Sequence, residues 1–301
     1  IYLSEYNYDF KFLLKDLNIK KINNNLRIID KLKIFFDIYK NNYDEVFILT
    51  PKNFYFFLPI LFKKIKFYAI VVDGKKRLRP PLFLRKYLYK YSSRFRSKIN
   101  KLNIIESNLS LIGANMDFNP KELKLKTLDI NVKKILPEKY IFFQFKKRFF
   151  HELGWGTDEF EKIIHYLAEH HGFVVFSADI EKSKYDKYFE TNFTSIDFTN
   201  NNFCNIKENT NILYLKKVDA ENLFLIMKNA EKLIGPHGLI TQISFLLNKD
   251  TTNLFSFQIK DKNEYKHEKI SFSEWYSNMN IKFTFLNSDI KKALKKISKF
   301  L

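Results

Sequence analysis

Two of the chain's seven glycines fall in one decapeptide, Leu233-Ile234-Gly235-Pro236-His237-Gly238-Leu239-Ile240-Thr241-Gln242, where a β-rich run breaks on Gly-Pro-His-Gly and passes into an apolar helical stretch. The chemistry such a turn offers is anion binding. Glycines let the backbone approach a ligand closely, and the N–H groups that open the following helix favour a phosphate or diphosphate. Gly235, Pro236, His237, Gly238, Leu239 and Thr241 are therefore candidate diphosphate contacts, with His237 as an added donor, charged or neutral. An ordinary tight strand-to-helix turn with a surface histidine accounts for the same pattern equally well.

A second stretch, Phe145-Lys146-Lys147-Arg148, directly follows the strand-like run Tyr140 to Phe145. Cations at a strand's carboxyl end can hold phosphate oxygens, Arg148 as a fork and Lys146 and Lys147 as point charges. Taken alone, the three also fit a solvated basic loop. The run Phe173 to Ser177 ends in Ala178-Asp179-Ile180-Glu181, where an acid can accept hydrogen bonds from ribose hydroxyls or cap the next helix. His165, His170 and His171 lie on or at the end of one helix without a matching carboxylate arrangement, so they read as surface residues and no metal site is expected.

The third stretch is Lys75 to Lys101, with eleven Lys or Arg in 27 residues and no acid. Aromatics and leucines are interleaved with the charges. Such a face suits an anionic membrane surface or a phosphorylated glycolipid. A nucleic-acid partner has less support, because no RNA- or DNA-binding motif accompanies it. A solvated helix face remains the simplest alternative.

These residues sit in a chain of 301, with 52 Lys+Arg against 33 Asp+Glu, a formal net charge of +19 and a pI of about 9.6. Part of the excess of Lys, Asn, Ile, Phe and Tyr reflects A/T-rich codons, but such drift should raise Glu with Lys, so the cationic surplus points to anionic partners. With 46% hydrophobic and 17% aromatic residues the chain can bury a large core, which excludes general disorder and fits one large domain or two of about 150 residues. The single cysteine, Cys204, excludes an internal disulfide framework and a cysteine-based zinc site. No run of 18 apolar residues occurs, so no membrane-spanning helix is expected. Ile1-Tyr2-Leu3 opens inside a strand-like run without the charged start of a signal peptide, and a further N-terminal piece is expected upstream.

Short apolar runs alternate with amphipathic stretches, the pattern of parallel strands with crossover helices. Strands are predicted over 45–50, 66–72, 140–145, 173–177, 211–215, 232–235 and 252–257. Helices are predicted over Phe54 to Lys64, from Thr157 as N-cap to Gly172, from about Asp219, and over Asn287 to Leu301. The fold class predicted is α/β, as two Rossmann-like domains facing across a cleft. Residues 1–113 form the first, 114–137 a Gly- and Pro-containing linker, 138–286 the second, and 287–301 a terminal amphipathic helix.

Taken together these stretches resemble glycosyltransferase family 9, the ADP-heptose:lipopolysaccharide heptosyltransferase family of two-domain GT-B enzymes. Ile34 to Leu49 is similar to the family's helix and following strand, and Asn108 to Gly113 to the helix that ends its first domain. Tyr140 to Glu181 resembles its strand, Lys-containing loop, helix and acid-terminated strand. Val218 to Thr241 resembles its last helix, strand and diphosphate loop. The family's loop carries Asp-Ser/Thr-Gly with a His three residues after the Gly, whereas Pro236-His237-Gly238 stands here with Gln242 near the expected His, which leaves the donor open. The Gly-Pro-His-Gly turn also resembles the loop of family 61 glycosyltransferases.

The resemblance implies a metal-independent, inverting transfer of a sugar from a nucleotide-diphosphate sugar to a lipid-linked or lipopolysaccharide-type glycan. No cofactor is implied beyond that donor substrate. It assigns Lys146 or Lys147 to the donor phosphate, Glu181 to the ribose and residues 235–239 to the diphosphate. Lys75, Lys76, Arg77, Arg79 and Arg85 would hold the phosphates of the acceptor. The family's catalytic base lies on a first Gly-Asp loop that would precede residue 1, so no base is named. The expected location is the cytoplasm, at the inner face of the membrane. The competing functions are a basic binding protein for RNA or an acidic polymer, and an inactive transferase homologue.

Overall fold

The β-branched and aromatic runs become strands and the amphipathic stretches helices. A computed structural model describes residues 2–4, 18–23, 25–49, 52–74, 77–93, 111, 136–178, 184–198, 202–205, 211–256 and 281–299. The chain divides into two units, Ile1–Asn119 and Pro120–Leu301.

In the first unit β1 (Tyr2–Ser4) pairs in parallel with β2 (Lys20–Ile22). Helix α1 (Ile28–Asn41) starts where the Arg27 N–H donates to Asp30 Oδ2 at 3.0 Å, and ends at Asn42 with φ 44°. Next come β3 (Glu45–Ile48), a 3-10 turn (Asn53–Phe57), α2 (Leu58–Leu61), β4 (Lys66–Gly74), β5 (Arg77–Arg79), α3 (Leu82–Arg85) and β6 (Lys90–Ser93). β4 is central, parallel to β3 and β6, with β5 antiparallel to its last residues. The helix predicted over 54–64 is thus split, and its α-helical part begins beside Pro59, whose missing N–H costs nothing in a first turn.

The continuous basic face predicted for 75–101 is not formed by the residues described there. Pro80-Pro81 interrupts it, leaving two short strands and one helical turn. Arg85 is only 7% exposed; its Nε donates to the Pro80 carbonyl at 3.3 Å and its guanidinium lies 5.6 Å from the Tyr91 ring centroid. It is therefore a packed residue rather than a surface cation. The backbone of Arg77 and Arg79 lies on β5, whereas Lys75, Lys76 and 94–101 lie outside the described residues, as does 114–135 of the predicted linker.

The second unit runs β7 (Ile141–Gln144), α4 (Lys147–Glu152), α5 (Thr157–His171), β8 (Val174–Ser177), α6 (Lys184–Asn192), β9 (Thr194–Asp197), β10 (Asn202–Asn205), β11 (Ile212–Lys216), α7 (Ala220–Asn229), β12 (Lys232–Pro236), α8 (Leu239–Leu247), β13 (Thr251–Ser256), β14 (Ile281–Leu286) and α9 (Ile290–Ser298). Its strands form one eight-stranded sheet in the order β10-β9-β11-β8-β7-β12-β13-β14, parallel throughout except for the edge strand β10. A parallel sheet is covered on both faces, so its central strands β7, β8 and β11 are apolar along nearly their whole length. Every residue of β7 and β8 is buried. Phe145 packs against Phe150, Phe160, Phe189 and Tyr185, with ring centroids 4.8 to 5.2 Å apart. The N-cap of α5 is Gly156, one residue before the predicted Thr157, because the Glu159 side chain takes the Gly156 N–H at 2.8 Å.

Candidate functional site

The topology singles out one place in the second sheet. From β7 the chain builds β8, β9, β10 and β11 on one side, then returns to place β12 on the other flank of β7. The loops that leave the carboxyl ends of β7 and β12 therefore run in different directions, and ligands of open α/β sheets bind at such a switch point. Those two loops are the ones that begin with Lys146 and His237.

Two glycines fix the geometry. A Cβ on Gly235 would stand 2.9 Å from Gln144 Cβ and 3.1 Å from both the Gln144 carbonyl oxygen and Ile240 Cδ1. The strand and the helix behind it approach too closely for any side chain there. Gly238 has φ 147°, a conformation that favours glycine, and a Cβ on it would lie 3.2 Å from Lys146 Nζ. Lys146 thus reaches from the end of β7 over the turn that precedes α8.

Behind that turn is a buried polar cluster. The Thr241 hydroxyl receives the Gly238 N–H at 3.3 Å, and its oxygen lies 2.6 Å from Asn253 Oδ1 and 3.1 Å from His237 Nδ1. Thr241 and Asn253 are fully buried. A hydroxyl has one proton to give. With that proton on the short bond to Asn253, His237 Nδ1 is the donor to Thr241 and Nε2 carries the lone pair. The His237 N–H donates to the Leu254 carbonyl at 3.1 Å, and the ring stacks on Phe255 with centroids 4.8 Å apart. Burial, and after it the charge of Lys146, pushes the imidazole down to about 4. Near neutral pH the ring is uncharged, so it becomes a donor at Nε2 on taking a proton.

The other sequence candidates divide. Pro236 ends β12 and is buried, and Leu239 opens α8. Lys147 is exposed at the start of α4. Arg148 donates to Glu152 Oε1 at 2.8 Å, and Glu152 also accepts from Ser256 Oγ at 2.5 Å. Burial raises the Glu152 carboxyl, but the bonds from Ser256 and Arg148 outweigh it and hold the group below the usual range. Of the three cations, the structure brings Lys146 to the turn and engages Arg148 with an acid. Asp179 and Glu181 lie outside the described residues. His165 and His170 are exposed, with His170 Nδ1 2.8 Å from the Tyr166 carbonyl oxygen. Among the described residues no group of three His, Cys, Asp or Glu could hold a metal ion. Sequence reasoning missed Asn253, whose signal was a lone amide in an otherwise strand-forming run.

No protein-family model and no curated protein sequence matches the chain. Solved structures do. A glycosyl transferase family 9 structure from Veillonella parvula aligns over 97% of this chain and 86% of its own, at 11% identity and a TM-score of 0.62. Escherichia coli ADP-heptose lps heptosyltransferase II aligns over 99% and 88%, at 11% identity and 0.61. The UDP-GlcNAc 2-epimerase of Methanocaldococcus jannaschii aligns over 99% and 83%, at 12% identity and 0.55. The chain thus has the α/β fold of the GT-B proteins, shared with family 9 glycosyltransferases and with an epimerase.

Proposed function

We propose that the chain is a glycosyltransferase taking a nucleoside-diphosphate sugar as donor and a lipid-linked or lipopolysaccharide-type glycan as acceptor. The observation that carries this reading is Lys146 placed over the Gly238 turn, at the switch point and against the start of α8. The names of the similar heptosyltransferase and epimerase include ADP-heptose and UDP-GlcNAc, two nucleotide sugars. A site for the shared diphosphate is what this constellation suits. Transfer is favoured over epimerisation by the likeness to a family 9 glycosyl transferase and a heptosyltransferase and by a basic first unit suited to an anionic acceptor.

In the reaction proposed, an acceptor hydroxyl oxygen attacks the anomeric carbon from the face opposite the diphosphate. The bond from that carbon to the phosphate oxygen breaks, and its electron pair leaves with the nucleoside diphosphate. Charge growing on the leaving group is met by Lys146, by the N-terminal dipole of α8 and by His237 once protonated, without a divalent metal. Lys147 and residues 235–239 line the same donor site, with Glu181 proposed for the ribose and Arg77 and Arg79 for the acceptor. No described residue is assigned as the base for the acceptor proton. We place the reaction at the cytoplasmic face of a membrane.

The test is calorimetric titration with ADP, GDP, UDP and CMP, in wild type and Lys146→Ala. One nucleoside diphosphate should bind selectively and lose most of its affinity in the variant. The same titration with chelator present should be unchanged. No binding by a folded wild type would instead favour a basic binding protein or an inactive homologue.

A further inference from the structure

Helix α3 is a single turn whose two halves face opposite ways. Leu84 and Arg85 are buried at 2% and 7%, whereas Leu82 and Phe83 stand 67% and 64% exposed. Pro81 precedes the turn and fixes its entry, so the two apolar side chains are held outward by buried neighbours rather than loosely displayed. The turn packs against the 3-10 turn at 53–57, where Phe57 is exposed, and Leu61 of α2 is exposed just beyond. Tyr87, Tyr89 and Tyr91 follow α3 and are all exposed. Lys86 Nζ lies 5.1 Å from the Tyr87 ring centroid and Lys66 Nζ 5.2 Å from that of Tyr89. Lys63, Lys64, Lys66, Lys86 and Lys90 are exposed in this stretch, and Glu45 of β3 stands opposite Lys66 and accepts from Tyr68 Oη at 2.9 Å.

Exposed leucine and phenylalanine at a tip, exposed tyrosines that follow and exposed lysines on the same unit form a set with a specific physical use. Leucine and phenylalanine gain by entering hydrocarbon, tyrosine settles at headgroup depth, and lysine pairs with acidic headgroups. A protein partner would leave this lysine density unexplained, since the cores of protein interfaces are depleted in lysine. We infer that α3 is a membrane-docking tip, with Leu82 and Phe83 entering an anionic lipid bilayer and Lys63, Lys64, Lys86 and Lys90 resting on its headgroups. This site stands apart from the donor site and does not depend on it.

The experiment is co-sedimentation of the whole chain with phosphatidylcholine vesicles, with and without phosphatidylglycerol. Binding should require the anionic lipid, and Leu82→Ser with Phe83→Ser should weaken it roughly tenfold or more while leaving thermal unfolding unchanged. Phe83→Trp gives an independent readout: its fluorescence should shift to the blue on anionic vesicles and be quenched by brominated acyl chains. Undiminished binding by the double variant, or an unshifted Trp signal on bound protein, overturns insertion. A wild type that ignores vesicles, or a dimer that the double variant splits, overturns the bilayer as occupant. Nucleotide titration of the double variant separates this outcome from any failure of the donor site.

Discussion

The two units solve the same problem differently. In the second, β7 and β8 are buried along their whole length, and among its described large apolar side chains only Phe173 is exposed. In the first, fifteen described large apolar side chains are exposed, from Ile28 to Tyr91. Charge divides the same way. Residues 1–119 hold 23 Lys or Arg against 10 Asp or Glu, while the remaining 182 hold 29 against 23. A unit that turns both apolar surface and cations outward has its surface shaped for something other than water. A unit that hides almost all of its apolar surface can hold a buried polar cluster in place. The proposed donor site falls on the second, and the proposed docking tip on the first.

The sharpest way to break this contrast is in the second core. Phe160, fully buried among Phe143, Phe145, Phe150, Phe176 and Phe189, should cost about 3–5 kcal/mol when changed to Ala. Gly235→Ala should cost about 1–3 kcal/mol, because the clash is with the Gln144 backbone as well as its side chain. Urea unfolding checks both. A neutral Gly235→Ala would mean that β7 and β12 can part, and the site would lose its rigid floor. Next in size, Lys146→Ala should weaken nucleoside diphosphate binding by roughly 10- to 100-fold, the worth of one charge-assisted contact.

The pH dependence sharpens the comparison further. The His237 imidazole is held at about 4 in the folded chain against an ordinary value of 6.5. Between those values the unfolded chain binds a proton that the folded chain does not. Its contribution therefore reduces stability as pH falls from 6.5 towards 4 and is constant above 6.5. Urea midpoints compared at about pH 7 and about pH 5 should fall more in wild type than in His237→Gln. Diphosphate affinity should move the other way, rising on acidification in wild type and less so in the variant, because an anion favours the protonated ring. Equal acid sensitivity of the two proteins would show that the ring is not held neutral by its surroundings.

The second unit was also the more legible in sequence. Its buried parallel strands must be apolar along their length, so FVVFS and NILYL announce themselves, and Gly-Pro-His-Gly marks the turn that the packing of Gly235 requires. What stayed hidden there lacked a continuous apolar run. TSID in β9 and NFCN in β10 carry no continuous apolar run, and β14, IKFTFL, was not foreseen. Asn253 could not be read as part of the site, because its role depends on β13 lying beside β12. The first unit misled for a physical reason. Its surface carries aromatics and lysines in the proportions of an amphipathic helix, yet Pro80-Pro81 forbids one, and Arg85 turns inward through a contact to Pro80 that charge density alone does not reveal.

The smallest effect tests whether the first unit's exposed apolar surface is truly uncovered. On α1, Ile34 and Ile38 are 4% exposed, while Leu32 and Phe36 are 49% and 60% exposed on the same helix. Ile34→Ala should cost about 2–5 kcal/mol, as a core truncation does. Leu32→Ser and Phe36→Ser should each change stability by no more than about 0.5 kcal/mol, since water already reaches both side chains. A large loss for the exposed pair would mean that α1 is covered on both faces in solution. The first unit would then be as self-contained as the second, and its surplus charge alone would be left to distinguish it.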